Sequence, residues 1–234
     1  MMRRVGSLSR TAAGLFLAAG MCGHSHATVD PVKATAPRMA FVPPAPGTYK
    51  LQRIQTVANA KLVDSGGWPV TLASLTSGKI TLLTFFYTYC VDPLGCPFAH
   101  ATLAELRDRV RTDRTIAKRI RFVSISLDPL HDSPAVLVDY RKEFDVDPQF
   151  EWRFVTAHRV QELLPVLDDF GQDVSVEIDA HGNPTRTLHH MLKVFLIDAS
   201  GEVREIYTLA FLHPQVIFND ILTLALAGER AKAK

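Results

Sequence analysis

Ile80 to Tyr87 reads ITLLTFFY, almost continuously apolar and without a period of two. A strand with this pattern is covered on both faces, as in the middle of a parallel or mixed sheet. Arg121 to Leu127 (RFVSISL) is a second strand of the same kind, and Trp152 to Val155 a short third. Val174 to Ile178 and Lys193 to Ile197 read as strands separated by a polar loop holding His181, Gly182, Asn183 and Pro184. Asp198-Ala199-Ser200-Gly201 turns into a last strand, Glu202 to Leu209. Near the start, Tyr49 to Val57 alternates enough for a strand. Lys61–Asp64 and Trp68–Leu72 flank Ser65-Gly66-Gly67 as a hairpin with a glycine-rich turn. Helical spacing fills the intervals. Ala99, Leu103, Leu106 and Val110 share one face after Pro97, and Ser133-Pro134 caps a helix to Phe144 with Leu137 and Tyr140 inward. His158 to Phe170 is helical in spacing, with Pro165 expected to kink or divide it. Pro214 opens a final helix with Ile217, Ile221 and Leu224 inward. Strands alternating with helices imply an α/β fold, a mixed sheet with helices on both faces.

The chemistry gathers where the first core strand ends. The stretch TYCVDPLGCPFAH carries Cys90 and Cys96. Between them Asp92-Pro93-Leu94-Gly95 has the composition of a type I turn, which folds the chain back and brings the two thiols together. Pro97 suits the first position of a helix, which puts Cys96 at the N-cap, where the positive helix end favours thiolate over thiol. Two cysteines on a tight loop between strand and helix suit sulfur chemistry or a soft metal. In an α/β chain they make a thioredoxin-like mixed sheet flanked by helices, with an N-terminal β-hairpin extension, the natural expectation.

A formal net charge of +2 over 234 residues supplies no electrostatic case for nucleic acid, and the length suits one domain with extras. The extras stand at the N-terminus. Arg3, Arg4 and Arg10, the short apolar run Ala12 to Gly23 and Ser25-His26-Ala27 read as a signal peptide over residues 1–27, or an N-terminal membrane anchor. Residues 28–48, with Pro31, Pro37, Pro43, Pro44 and Pro46, read as a proline-rich linker, and 49–230 as the folded domain. Cleavage after Ala27 removes Cys22, His24 and His26 and leaves Cys90 and Cys96 as an even pair. The expected location is therefore the periplasm, soluble or anchored at the inner membrane, where paired thiols need a metal or a reductant to stay reduced.

From about Leu62 onward the sequence resembles the Sco/SenC family of copper-handling proteins. Four segments carry the resemblance: GKITLLTFFYTYC followed by CP, FVSISLDPLHDSPAVLVDY, WRFVTA, and HHMLKVFLIDASGEV. It implies a metallochaperone that binds copper, Cu(I) or Cu(II), through Cys90, Cys96 and His190. The resemblance also implies a role in assembling the copper centre of cytochrome c oxidase or a related copper enzyme, with a copper-protein subunit as acceptor and a thiol reductant as a further partner. Relatives space their cysteines C-x3-C and here the spacing is C-x5-C; His189 stands where relatives usually have Asp.

Two thiolates and an imidazole suit Cu(I) in low coordination, and zinc with two Cys, one His and water has the same ligand count. The alternative is a thiol–disulfide oxidoreductase in which Cys96 attacks a partner disulfide and Cys90 resolves it. Against it stand the wide cysteine spacing and Leu192, which fills the slot six residues before Asp198 where redox relatives of the fold keep a proline. A structural disulfide is the plainer reading of the pair, but so small a loop gains little from closure. His100 and His131 read as surface residues, Asp128 and Asp132 as loop and capping residues, and Trp68 and Trp152 as core or rim packing.

Overall fold

A computed structural model of the chain describes residues 39–144 and 147–232. The expected signal peptide and most of the expected linker lie outside the described residues. Eight strands form one mixed sheet in the order β1 (Gln55–Thr56), β10 (Glu202–Thr208), β9 (Lys193–Ile197), β4 (Ile80–Phe86), β5 (Ile120–Ser126), β6 (Trp152–Thr156), β2 (Lys61–Asp64) and β3 (Pro69–Thr71). β4, β5 and β6 run parallel in register Leu82–Phe122–Trp152, and β9 closes against β4 antiparallel, Leu83 opposite Phe195. All seven residues of β4 and of β5 are buried, as strands covered on both faces must be.

Six α-helices lie among the described residues: α1 (Leu72–Thr76), α2 (Cys96–Arg111), α3 (Arg114–Ala117), α4 (Pro134–Lys142), α5 (Val160–Asp169) and α6 (Pro214–Lys232). Successive residues of β4 feed the two faces. Phe86 meets His100 of α2, Tyr140 of α4 and Phe154, while Phe85 meets Phe170 beyond α5 and Phe195. α2 also packs against α6. This is the thioredoxin-like arrangement expected, with the β2–β3 hairpin added to the β6 edge through Val63 and Asp64. No helix among the described residues is long and apolar enough to cross a membrane.

Several local expectations change. Only Gln55–Thr56 of the first expected strand pairs, at the edge against β10. Leu72 begins a short helix, because Thr71 caps it reciprocally with Ser74. Pro165 does not divide α5, which continues from Val160 to Asp169 around it. The polar loop after Ile178 contributes a strand, β8 (Pro184–His190), which pairs only with β7 (Val174–Ile178) in a separate two-stranded sheet. Its side chains are half-buried or exposed and none is buried, a weaker apolar signal than a core strand gives. Trp68, expected to pack, is 72% exposed on its turn, whereas Trp152 is buried. Of the expected linker, Pro44 accepts a hydrogen bond from Asn219 of α6 and Gly47 N–H donates to Thr223.

Candidate metal centre

β4 stops at Phe86, and the chain then runs as a loop along the open end of the sheet. Thr88 is fixed there by one carboxylate. Its N–H donates to Asp132 Oδ2 at 3.1 Å and its hydroxyl to Oδ1 at 2.6 Å, while Ser126 at the end of β5 donates to Asp132 Oδ2 at 2.6 Å. Asp128 and Asp132 are loop residues, as expected, but Asp132 is fully buried and Asp128 nearly so, which makes them internal acceptors of this loop. Two acids four apart, after a strand ending in serine, were the available signal.

The turn before α2 forms as the composition predicts. Gly95 N–H donates to Asp92 O at 2.9 Å and Leu94 N–H to Asp92 Oδ1 at 3.0 Å. A Cβ at Gly95 would stand 3.2–3.3 Å from Asp92 atoms, so the turn closes best on glycine. Gly95, not Cys96, is the N-cap; Cys96 is the first helical residue, followed by Pro97.

Both cysteines are free thiols, Cys96 buried and Cys90 half-buried. A hydrogen bond with Cys96 lowers the Cys90 thiol to about 6, helped by the backbone N–H groups of Cys96 and Asp92. The same bond raises Cys96, and burial raises it further. This reverses the expectation that Cys96 is the thiolate: the helix end acts through its N–H groups on Cys90, while the Cys96 sulfur is out of water.

His190 is the last residue of β8, not the start of a core strand, and its Nε2 lies 3.7 Å from Cys96 Sγ. Its Nδ1 donates to the Met191 carbonyl at 3.3 Å, and Gln172 Nε2 donates to the same oxygen at 3.0 Å. The tautomer this bond selects leaves the Nε2 lone pair toward the sulfur. Burial lowers the His190 pKa, so the ring is neutral and able to ligate at neutral pH. Tyr87 presents its ring to His190, centroids 6.1 Å apart. Tyr87, Cys90, Leu94, His190 and Met191 line one open cleft of about 1050 Å³.

The structure thus brings Cys90 to Cys96 and Cys96 to His190. Among the described residues, no three His, Cys, Asp or Glu side chains are gathered closely enough to hold an ion as they stand. The other histidines are elsewhere. His189 is exposed opposite Ser175, and His131 is exposed with Nδ1 2.5 Å from Asp128. His100, expected at the surface, is fully buried in a box of Phe86, Tyr140, Phe144, Trp152 and Phe154. Tyr140 and Ser124 satisfy its two nitrogens at 3.0 and 3.2 Å, which is why the polar ring is tolerated there.

The model of the SCO1/SenC family matches residues 50–225. The chain belongs to the SCO1/SenC family. Comparison with curated proteins returns no match. Solved SCO1/SenC structures superpose on it. ScoI of Bradyrhizobium japonicum with copper bound is 26% identical, with a TM-score of 0.58 over 71% of this chain and 97% of that one. A SCO1/SenC lipoprotein of Bacillus anthracis is 23% identical, with a TM-score of 0.61 over 73% and 95%. BsSco, described as having a disulfide switch and as a member of a family of cytochrome c oxidase assembly proteins, is 21% identical, with a TM-score of 0.57 over 76% and 98%. The family match begins before Leu62 and takes in the β1 edge as well as the hairpin extension.

Proposed function

We infer that this chain is an exported copper metallochaperone, which carries copper on Cys90, Cys96 and His190 and delivers it to a copper enzyme of the cytochrome c oxidase type. The observation that carries this reading is the approach of His190 Nε2 to Cys96 Sγ, 3.7 Å, beside a Cys90 already bonded to Cys96. Two sulfurs and one neutral imidazole form a soft donor set suited to Cu(I). The open cleft in front of them supports transfer, since an acceptor's own ligands must reach the metal. Family membership supports copper as the cargo, as does the copper-bound Bradyrhizobium relative. The reading of residues 1–27 as a signal or anchor supports the cell envelope as the place of work, and the Bacillus anthracis lipoprotein is consistent with it.

Copper is the cargo here and not a reaction centre. The protein's part is to keep two thiols reduced and a histidine neutral until the ion arrives. Loading the reduced mature protein with Cu(I), Cu(II) and zinc, followed by metal analysis, tests the reading. One Cu(I) per chain is expected, and none in the Cys90→Ser/Cys96→Ser double variant. Equal uptake by both proteins sinks the proposal.

A thiol–disulfide reductase reading is favoured by one observation, the asymmetry of the pair. Cys90, half-exposed and lowered to about 6, is a nucleophile at neutral pH. Its thiolate attacks a disulfide of the target and releases one target thiolate. Cys96 then displaces the second, leaving a Cys90–Cys96 disulfide and a reduced target. The roles are opposite to those expected from the helix N-terminus. An external thiol reductant must restore the pair.

A further inference from the structure

Among the described residues, His190 stands on a strand pair that the main sheet does not hold. β7 and β8 bond to each other, and no ladder joins them to the eight-stranded sheet. Their position over the cysteines is therefore set by side chains and by two short links, Phe170 to Asp173 from α5 and Met191 to Leu192 into β9. Two tyrosines of the cysteine loop reach this hairpin. Tyr87 meets the ring of His190. Tyr89 receives Arg186, four residues before His190 on β8, with the guanidinium carbon 4.4 Å from the ring centroid. Tyr89 is itself fixed on its other sides. Its hydroxyl donates to the buried Asp128, its edge meets Tyr87 at 4.8 Å between centroids, and His131 lies at 5.7 Å.

One exposed cation from the hairpin thus sits on an aromatic face anchored to the strand β5 side of the site. The geometry points to Arg186 and Tyr89 as a clasp that holds the β7–β8 hairpin over the cysteine loop, with Arg186 the positioning residue for His190. Arg186 touches neither sulfur nor any ion; it acts by keeping the imidazole opposite Cys96. The ligand role of His190 rests on the function proposed above, whereas the clasp itself does not. Cys96 is 1% exposed with His190 against its sulfur, so opening the clasp uncovers a thiol. An exposed cation–π contact of ordinary strength changes such an opening equilibrium about two- to fivefold.

Two measurements on the mature protein test this. In a Cys90→Ser background, reduced and metal-free, the rate of Cys96 alkylation by iodoacetamide is read by mass spectrometry. Arg186→Gln should raise it about two- to fivefold, and Arg186→Lys, which keeps a cation over the ring, should stay near the parent. An unchanged rate in Arg186→Gln overturns the clasp. The second measurement is Cu(I) affinity by chelator competition, with both cysteines present. Arg186→Gln should weaken binding by a similar factor, and the effect should vanish in a His190→Ala background, where nothing is left to position. A loss of equal size in both backgrounds, or none in either, overturns the positioning role. If the wild type takes up no copper, the function above fails and the alkylation rates alone decide the clasp.

Discussion

Cys96 and His190 stand 94 positions apart in the chain and face each other across 3.7 Å, one from the first turn of α2 and the other from the end of a hairpin. Neither element touches the other by a ladder; the end of the central sheet brings them together. His190→Ala should therefore remove a ligand without removing a support of the core. Loss of a ligand should cost at least the ~10–100-fold that loss of an outer partner typically costs in metal affinity. Disulfide formation between Cys90 and Cys96 should persist, because it needs no imidazole. His189→Ala is the matched control, since His189 is exposed on β8 and pairs opposite Ser175. Chelator competition on both variants decides it: equal affinity in wild type and His190→Ala removes this histidine from the site.

The thiol pair makes a second prediction. Cys90, lowered to about 6 by its bond with Cys96, should be mostly thiolate at pH 7, and Cys96, raised and buried, should stay a thiol. In the reduced protein, alkylation at Cys90 should climb from pH 5, reach half its limit near pH 6 and level off by pH 7.5, while Cys96 labels slowly throughout. Mild oxidant should join the two sulfurs and abolish copper uptake. Peptide mapping of labelled protein reads each site separately. A Cys90 rate still rising steeply between pH 8 and 9 would contradict the arrangement.

How far the sequence alone reaches is plain from these residues. The core strands β4 and β5 were legible because a strand buried on both faces has no choice but a continuous apolar run. The turn at Asp92–Gly95 was legible because aspartate, proline and glycine each stand at the place a type I turn favours for them. The proposed ligands came from the family resemblance together with the thiols; the structure puts Cys90 beside Cys96 and His190 beside Cys96 without gathering the three into one cluster. What stayed hidden depends on partners distant in the chain. β8 carries Thr185, Arg186, Thr187 and two histidines, a polar strand made only by its neighbour β7. His100 looked polar and exposed until α2, α4 and β6 closed an aromatic box around it. Asp132 became the anchor of the cysteine loop only because Thr88, two residues past the end of β4, and Ser126, the last residue of β5, leave adjacent parallel strands side by side. A helix N-terminus stabilises whichever sulfur its N–H groups reach, and sequence position shows neither that sulfur nor the one that burial raises.

Asp132 supplies a prediction about that anchor. Asp132→Ala leaves the buried Ser126 hydroxyl and the Thr88 N–H without their acceptor. An unsatisfied buried group costs about 1–3 kcal/mol, so the urea midpoint should fall measurably. Thr88 lies two residues before Cys90, so the loop should loosen as well, and Cu(I) affinity should drop although no ligand has changed. Thr88→Val, which keeps the N–H and loses the hydroxyl, should show a smaller version of both effects. An Asp132→Ala protein with wild-type midpoint and affinity would show that the loop is held by other means.

The last prediction concerns acid stability and His100. Burial with no charged partner lowers its pKa to about 3, against an ordinary value of 6.5. The sign follows from proton binding. Above pH 6.5 neither the folded nor the unfolded chain protonates this ring, and it contributes no pH dependence. Between 6.5 and 3 the unfolded chain takes up a proton that the folded one refuses, so folding stability falls as pH falls. Each pH unit below the unfolded value removes at most about 1.4 kcal/mol, so acidification from neutrality to pH 4.5 should cost on the order of 2 kcal/mol through this ring. His190, also lowered by burial, slopes in the same direction, so the comparison must be between proteins that differ only at position 100. The carboxylates held low in the fold, Asp128, Glu151 and Asp198, begin to lose their contribution as pH falls through the ordinary carboxylate values, and they do so equally in both proteins. His100→Gln keeps a side chain able to bond Tyr140 and Ser124 but cannot titrate. It should lower stability at pH 7.5, because the aromatic box is shaped for an imidazole, yet lose much less than the wild type on going to pH 4.5. Urea unfolding of both proteins at the two pH values measures the difference of slopes. Parallel losses would mean that His100 is not the buried neutral ring that the box of Phe86, Tyr140, Phe144, Trp152 and Phe154 encloses.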